Sequence, residues 1–424
     1  MKLKLRQVAA ISALLIGSAL LPNDGQATNG FFSNGYGGPS KASAGAGLTI
    51  GSNPLDLAQN PALGLEVGTV AGLCFTSFMP QRSVSIGNGN SPFAPLTPGT
   101  FNSKNPYFPI LCGGYNNRIS DTTSIGLITF ANGGMDVHYG EPLFGGRVGF
   151  STANTAIDMG QQFIALNVSH RVSDTVTVGF APVFAMQRLS ATGLEMFGPL
   201  SQAPQDLTGK GYNWSFGGGF KAGLLWQAQP WLDVGLAYQS EMYMSKFNSY
   251  RGLFAGGGSL NIPPTLSFGV GIKPMPGVTL LLEYERIFFG AIPSVANSGS
   301  WPFQGLIGAS NGPGFGWQDV NIFRIGARWN VTPALTLRTG VSYATPSISS
   351  SSQVMFNILA PAVVSTHVAF GLSYKLSKHW GWTIAYMHAF ENSLSGYAPT
   401  AFGGNPITLR MSQDEVATGF SYRF

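Results

Sequence analysis

From about Val67 to the C terminus, the chain repeats segments of ten or more residues in which large apolar side chains alternate with small or polar ones. The last segment, EVATGFSYRF, is the clearest: Val416 and Phe424 begin and end an apolar face, and Glu415 and Arg423 begin and end the other. A period of two is that of a β-strand whose two faces meet different surroundings. The repetition predicts an antiparallel sheet with one apolar and one polar face.

The composition indicates that the apolar face meets lipid. Only 10% of the residues are charged, the formal net charge is +5, and the mean hydropathy is +0.14. Soluble domains carry about 25% charged residues. No stretch after residue 27 approaches the roughly 18 consecutive apolar residues of a transmembrane helix. Because a backbone in lipid must satisfy its own hydrogen bonds, the remaining architecture is a closed barrel.

The sequence therefore predicts an all-β fold, a fourteen-stranded antiparallel transmembrane β-barrel over residues 67–424. The alternating segments lie at 67–82, 104–118, 122–139, 161–173, 175–190, 212–228, 231–248, 260–274, 277–291, 317–331, 334–347, 364–377, 380–393 and 409–424. Their connections are alternately short, as at 172–175, and long, as at 291–316. Short periplasmic turns and long outer loops are typical of outer-membrane barrels.

Residues 1–27 have the pattern of a secretory signal peptide. Lys2, Lys4 and Arg6 precede an apolar run from Val8 to Leu21, and Ala27 offers a small residue at the cleavage site. The apolar run is too short to span a bilayer. Together with the barrel pattern, this predicts the outer membrane of a Gram-negative bacterium.

Residues 28–66 are rich in Gly, Ala, Ser and Asn and show neither strand nor helix periodicity. Such a stretch is usually a linker, but this one contains Phe31, Phe32, Tyr36, Ile50 and Leu63. A free tail would not carry that many apolar side chains. We interpret the segment as a hatch that fills the lumen of the barrel.

Several motifs, in this order along the mature chain, carry a family resemblance. They are SNGYGGPSKASAGAG at 33–47, the triplet Asn60, Pro61, Ala62, the sequence WQD at 317–319, RTGVSYATPS at 338–347, and the aromatic C terminus. The chain resembles the FadL-type family of outer-membrane transporters for long-chain fatty acids and aromatic hydrocarbons. The triplet matches the NPA motif of that family.

The resemblance implies a fourteen-stranded barrel with an N-terminal hatch, and passive uptake of hydrophobic molecules that leave sideways through a gap at a kinked third strand. The substrate would be a long-chain fatty acid or a similar lipophilic compound, with aromatic hydrocarbons as the alternative. Expected partners are that substrate, outer-membrane lipid and lipopolysaccharide, and the assembly machinery that recognises a C-terminal aromatic strand; we expect a monomer that binds no nucleic acid. An ordinary exposed strand is the alternative interpretation of the C terminus.

Asn132, Gly133 and Gly134 interrupt the third predicted strand. An Asn-Gly-Gly sequence within a strand indicates a bulge or bend, or simply a turn. The resemblance places the lateral exit in this strand.

Three long loops are unusually apolar, at 193–200, 252–257 and 354–362. We expect them to pack together as an entrance for a hydrophobic substrate. The predicted ligand pocket combines aromatic side chains of these loops and of the hatch: Phe31, Phe32, Phe197, Phe254 and Phe356.

Cys74 and Cys112 fall on the first two predicted strands. An exported protein meets an oxidising periplasm, and neighbouring strands bring cysteines within reach of each other. The sequence leaves open whether they form a disulfide or remain two free thiols.

Inward-facing basic residues of the predicted strands include Arg324, Arg328 and Arg338. Most are expected to brace the hatch in salt bridges, and one or two of them to contact a substrate carboxylate. The five histidines are scattered, and no catalytic, metal-binding or cofactor motif is present. We therefore predict no enzyme, no cofactor and no metal; a lipid-modifying enzyme and an open porin are the less favoured functions.

Overall fold

The computed structural model describes residues 29–91, 94–145 and 148–424. The predicted signal peptide at 1–27 lies outside the described residues. Fourteen long strands form the wall: β1 Val70–Ile86, β2 Phe108–Arg118, β3 Thr123–His138, β4 Ala156–Ser173, β5 Val176–Thr192, β6 Asn213–Gln229, β7 Leu232–Gln239, β8 Thr265–Met275, β9 Val278–Ile287, β10 Val320–Asn330, β11 Leu335–Ala344, β12 Thr366–Lys375, β13 Trp380–Tyr397 and β14 Pro406–Arg423.

The fourteen strands form a closed antiparallel barrel, as the sequence predicted. Each pairs with its neighbours in the chain, and β14 pairs with β1 from Ile407 opposite Ile86 to Arg423 opposite Val70. Two short strands are added to this wall, Gly99–Asn102 on β1 and Tyr243–Met244 on β6. Closure removes the exposed edges that an open sheet would present to lipid.

The two faces of the wall differ as the alternation predicted. On β10, Phe323, Ile325 and Trp329 are exposed on the outer face, whereas Arg324 is buried on the inner face. Exposed Trp and Tyr side chains lie near both ends of the strands, as expected of residues at membrane interfaces: Tyr212, Trp214, Tyr343 and Tyr397 near the long loops, and Trp226, Trp231, Trp329 and Trp380 near the short turns.

Several predicted strand boundaries are wrong at the loop ends. The predicted strand 67–82 ends at Ile86, and the predicted strand 231–248 ends at Gln239. In β1 the alternation continues to Ile86, where the strand pairs with β14 and with the added strand Gly99–Asn102. After β7 the chain turns inward, and Met242 and Phe247 are buried although they continue the apolar pattern.

Residues 29–69, which we call the lumenal segment, precede β1 and pack against the inner face of the wall. They contain four short helices: Gly37–Lys41, Pro54–Ala58, Pro61–Leu63 and Gly64–Val67. Inward glycines of the wall make this close packing possible. A methyl group on Gly179 would collide with the backbone of Pro61, and one on Gly340 would collide with the backbone of Ser43. The glycines of the alternating segments are therefore explained by what fills the lumen.

The long loops cover the opposite end of the lumen and contain the remaining short helices: Glu195–Leu200, Pro204–Asp206, Asn248–Tyr250, Ala255–Gly258, Phe289–Ala291, Pro293–Ala296, Ser351–Gln353, Phe356–Ile358 and Thr400–Phe402. Their apolar side chains, including Phe197, Val354 and Ile358, are buried in one large cluster with the lumenal segment. Among the described residues, no helix is long and apolar enough to cross a bilayer.

Candidate functional site

β2 and β3 are paired only in their halves near the short turns, as far as Gly113 opposite Thr129. Beyond that point β2 continues to Phe108 and pairs with β1 alone. β3 continues to His138, and β4 is the only wall strand that it pairs with there. The described residues of β2 and β3 form no ladder over this stretch, so the wall contains an opening, which we call the wall gap.

The wall gap exists because β3 bends inward. The register between β3 and β4 shifts between Ala131 and Gly133, which makes Asn132 the extra residue of a β-bulge. Before the bulge, Ile125 and Leu127 are exposed at 40% and 37% on the outer face. From residue 129 to residue 137 the side chains of both faces are buried. The Asn132, Gly133 and Gly134 sequence lies at this bend.

The lumenal segment satisfies the backbone groups that β3 loses at the wall gap. The amide of Ser33 donates to the carbonyl of Asn132 at 2.9 Å, and the amide of Gly134 donates to the carbonyl of Phe31 at 2.9 Å. The Tyr36 hydroxyl donates to Asn132 Oδ1 at 3.2 Å. Because an unpaired backbone group costs several kcal/mol in lipid, the gap depends on the lumenal segment for its stability.

A small apolar cluster, separate from the main core, occupies the wall gap. Its members come from β1, β2 and β3: Phe78, Phe108, Ile110 and Ala131. At its loop side, the Arg82 guanidinium lies 3.6 Å from Asp136 Oδ1 and over the Phe108 ring at 5.2 Å. The wall gap is therefore filled by apolar side chains, with one buried ion pair at its edge.

Cys74 and Cys112 lie directly opposite each other on β1 and β2 and form a disulfide, with Cα atoms 5.0 Å apart. Cys112 is adjacent to Gly113, the last β2 residue paired with β3. The disulfide therefore joins β2 to β1 at the point where β2 separates from β3.

The Asn60, Pro61, Ala62 motif attaches the lumenal segment to the wall. Asn60 caps a short helix by accepting from the amide of Ala62 at 3.0 Å. Its Nδ2 donates to the carbonyls of Leu48 at 2.9 Å and Leu224 at 3.1 Å. One side chain thus joins two parts of the segment to β6.

Pro61 continues this attachment on β4. Its carbonyl accepts from Asn167 Nδ2 at 3.0 Å and from the Ser169 hydroxyl at 2.6 Å. Gly179 on β5 leaves room for the Pro61 backbone. The motif is therefore a fixed contact across three neighbouring strands.

We expect Asn60→Ala to loosen the lumenal segment without disturbing the barrel. The change removes three hydrogen bonds, each with a net contribution of about 1 kcal/mol, and no strand ladder. Amide hydrogen exchange followed by mass spectrometry should be at least about tenfold faster in residues 29–67 and unchanged in the strands. Asn248→Ala, at an exposed loop position, is the matched control. Unchanged exchange in residues 29–67 would mean that the motif does not hold the segment.

Two buried carboxylates also anchor the lumenal segment. Glu283 Oε1 accepts from the amides of Gly47 at 2.7 Å and Leu48 at 2.6 Å. Glu415 on β14 forms an ion pair with Lys41. Charge-assisted bonds of this kind are about twice as strong as neutral ones. The anchors lie on β9 and β14, so the segment is held on several sides of the lumen.

The three arginines proposed as carboxylate contacts do not form one site. Arg324 is already paired, with Glu285 Oε2 at 2.6 Å and Asn34 Oδ1 at 3.2 Å. Arg328 and Arg338 lie directly opposite each other nearer the short turns. Arg324 therefore has the expected bracing role. Among the described residues, neither Arg328 nor Arg338 forms an ion pair with a carboxylate.

Lys221 on β6, which the sequence analysis did not propose as a carboxylate contact, lies beside the bend of β3. Its Nζ lies 5.6 Å from the centroid of the Tyr36 ring and 5.8 Å from that of the Phe130 ring, and it donates to the carbonyl of Ala58. It lines a narrow polar cavity with Glu285. No described carboxylate lies within ion-pair distance of it. Its inward position on β6 was visible in the alternation, but its closeness to the bend of β3 was not.

Four of the five phenylalanines of the predicted pocket are buried in one cluster, and Phe356 is partly buried against it, but the five form separate groups. Phe31 and Phe32 pack with Phe289, which the sequence analysis missed, at 5.1 and 5.9 Å between ring centroids. Phe197 and Phe356 pack together at 5.4 Å, whereas the aromatic neighbour of Phe254 is Phe247. The prediction of a single set is therefore too simple. Phe289 lies on another long loop, where an apolar residue gives no sign of its partner.

Within the described residues, no group of three or more His, Cys, Asp or Glu side chains is placed to hold a metal ion.

A closed barrel with an apolar outer face, a filled lumen and a gap in its wall defines a membrane transport protein of the outer-membrane type. The family described as outer membrane protein transport protein (OMPP1/FadL/TodX) matches residues 27–424, and the chain belongs to that family. No curated protein matched the sequence.

Solved structures share the fold. The toluene transporter TodX of Pseudomonas putida matches with a TM-score of 0.70 at 16% identity, covering 92% of this chain and 99% of that one. A FadL homologue of Pseudomonas aeruginosa gives 0.67 at 15% identity, with 93% and 99% covered. The toluene transporter TbuX of Ralstonia pickettii gives 0.61 at 18% identity, with 92% and 99% covered. The protein is thus an outer-membrane transport protein with this fold.

Proposed function

We propose that the protein takes up hydrophobic molecules passively and releases them into the membrane through the wall gap. The observation that carries the proposal is the pairing of β3 with the lumenal segment where β3 has left β2. Movement of the lumenal segment, acting as a hatch, would uncover an apolar passage lined by Phe78 and Phe108. Membership of a family of transport proteins supports a function without catalysis.

The route begins at the long loops. The substrate enters among the aromatic side chains that pack around Phe197 and Phe356, and moves along the apolar cluster to Phe31 and Phe32 beside the wall gap. The gap opens toward lipid, which is where a hydrophobic substrate is most stable. No energy source beyond the concentration gradient is needed for this path. We propose a monomer that the barrel assembly machinery inserts beside lipopolysaccharide.

We propose a long-chain fatty acid as the substrate, because Lys221 lies beside the wall gap without a carboxylate partner among the described residues. A buried ammonium group between two aromatic rings suits a carboxylate head group whose apolar chain lies along those rings. Aromatic hydrocarbons are the second candidate. The rings of Phe31, Phe289 and Trp317, which pack edge to face around Phe289, favour them, and two of the structurally similar proteins are named toluene transporters.

Lys221→Gln is expected to reduce oleate uptake about tenfold and to leave toluene uptake unchanged. A charge-assisted hydrogen bond contributes about 1.5–3 kcal/mol, and 1.4 kcal/mol corresponds to a factor of ten. The measurement is uptake of both labelled compounds by cells that lack other transporters, with the exposed Lys210→Gln as the control. An equal loss for both compounds would contradict the carboxylate role. Unchanged oleate uptake would likewise show that Lys221 does not hold the carboxylate of the substrate.

A further inference from the structure

A recess at the short-turn end of the lumen is strongly basic. It is a cavity of about 520 Å³ between the lumenal segment and strands β10 to β14. Five basic side chains line it: Arg328, Arg338, Lys375, Lys378 and Arg423. None of the described residues that line it is acidic. We call this recess the basic vestibule.

Two of its charges are placed unfavourably in the protein alone. Arg328 and Arg338 are opposite each other in the β10–β11 register, and both belong to the inner face. Like charges directly opposite each other destabilise a strand pair. Arg338 is only 7% exposed. A fold keeps a buried like-charged pair at little cost only if something of opposite charge lies between its members.

The lumenal segment does not supply enough negative charge. Asp56 faces a small space that both arginines also line, but it is not within ion-pair distance of either. Its Oδ2 already accepts from the amides of Ser52 at 2.7 Å and Asn53 at 2.9 Å. The segment's exposed Glu66 also acts on Arg328, but even with Asp56 and Glu66 both ionised the five basic side chains outnumber them.

The two arginines also keep hydrogen-bond donors that a ligand could use. Arg338 Nη1 donates to the Ser373 hydroxyl at 2.7 Å, which is its one described hydrogen bond. The Nε of Arg328 is buried and has no hydrogen-bond partner. Guanidinium groups present parallel N–H donors that match the oxygens of an oxyanion. Hydroxyls of Thr336 and Ser373 extend this donor surface.

We propose that the basic vestibule binds a phosphate group at Arg328 and Arg338, carried by a soluble molecule or by a phospholipid head group. Two adjacent guanidinium groups with further cations at the rim suit an oxyanion of more than one charge better than a monocarboxylate. Strands β10 and β11 are separated from the wall gap by at least three strands on either side, so this site is distinct from the proposed substrate exit.

The test uses the full barrel, purified in detergent that contains neither phosphate nor phospholipid. Equilibrium dialysis with labelled inorganic phosphate measures the soluble source. Native mass spectrometry after addition of phosphatidylglycerol measures the lipid source. The variant is Arg328→Gln with Arg338→Gln, and the control is Arg118→Gln, which removes an exposed cation at the same end of the barrel.

We expect one bound phosphate or one bound lipid in the wild type, and binding at least about tenfold weaker in the double variant but not in the control. Without ligand, the double variant should unfold at a temperature equal to or above that of the wild type, because the like-charged pair is gone. Should the glutamine variant fail to fold, Arg328→Lys with Arg338→Lys keeps both charges and should still weaken binding, since the paired donors are lost. Absence of both ligands from the wild type, or binding that neither double variant weakens, would overturn the proposal.

Discussion

Removal of residues 29–58 is expected to turn a closed barrel into a conducting pore. The deleted part contains Phe31, Lys41 and Leu48, which contact the bend of β3, the wall at β14 and Glu283 on β9. A barrel of this size encloses water unless something fills it. The conductance of the deletion variant in planar bilayers should exceed that of the intact protein on the order of tenfold or more.

The loops at the outer end do not by themselves prevent this outcome. Phe289 and Trp317 belong to these long loops and pack on Phe31, with ring centroids 5.1 and 5.8 Å away. Deletion of the segment removes this support as well as the filling of the lumen. The strand ladders are untouched, so the variant should still show the heat-dependent gel shift of a folded barrel. A folded deletion variant whose conductance is as negligible as that of the intact protein would show that residues 29–58 do not close the lumen.

The barrel was predictable from sequence because its main signal is local. A strand between lipid and a filled lumen must alternate in every pair of residues, and the last strand shows it: Phe420 is half exposed, and Glu415 and Ala417 are buried. The glycines on the inner face likewise indicated that the lumen is closely packed. Strand ends were less predictable, because the apolar pattern continues from β7 into a buried loop at Met242.

The site depended on contacts between residues far apart in the chain. An Asn-Gly-Gly sequence marks an irregular strand, but it does not reveal that β2 stops pairing at Gly113. Nor does any local pattern connect Arg82 to Asp136 or Arg324 to Glu285. The opposition of Arg328 and Arg338 follows from strand register, which a single residue of slippage would change. Charges on the inner face were therefore predictable as a class, and their individual partners were not.

Closing the wall gap with a covalent link should abolish uptake. Ile110 on β2 and Ala131 on β3 belong to the small apolar cluster that occupies the gap. The variant carries Ile110→Cys and Ala131→Cys in a background with Cys74→Ser and Cys112→Ser, so that one pair of thiols remains. A disulfide between them would hold β2 and β3 together across the wall gap, so that the gap could not widen for a substrate. Loss of the native disulfide is expected to cost about 2–4 kcal/mol. The barrel should tolerate this, because β1 and β2 stay joined by their ladder from Val70 opposite Asn116 to Phe78 opposite Phe108.

The reduced form of the same variant is the control, since it differs only in the link. The background protein with Ile110 and Ala131 intact shows whether oxidation alone affects transport. Ligand binding at the outer loops should be equal in both forms, because those aromatic groups lie before the gap on the proposed route.

The decisive measurement is the rate of uptake of labelled oleate and toluene by the cross-linked variant before and after reduction, with equilibrium binding measured in parallel. Exit through the wall predicts that uptake is lost in the oxidised form, returns on reduction, and is accompanied by unchanged binding. Equal uptake in the oxidised and reduced forms, with the cross-link verified by mass spectrometry, would contradict lateral exit and indicate passage straight through the lumen.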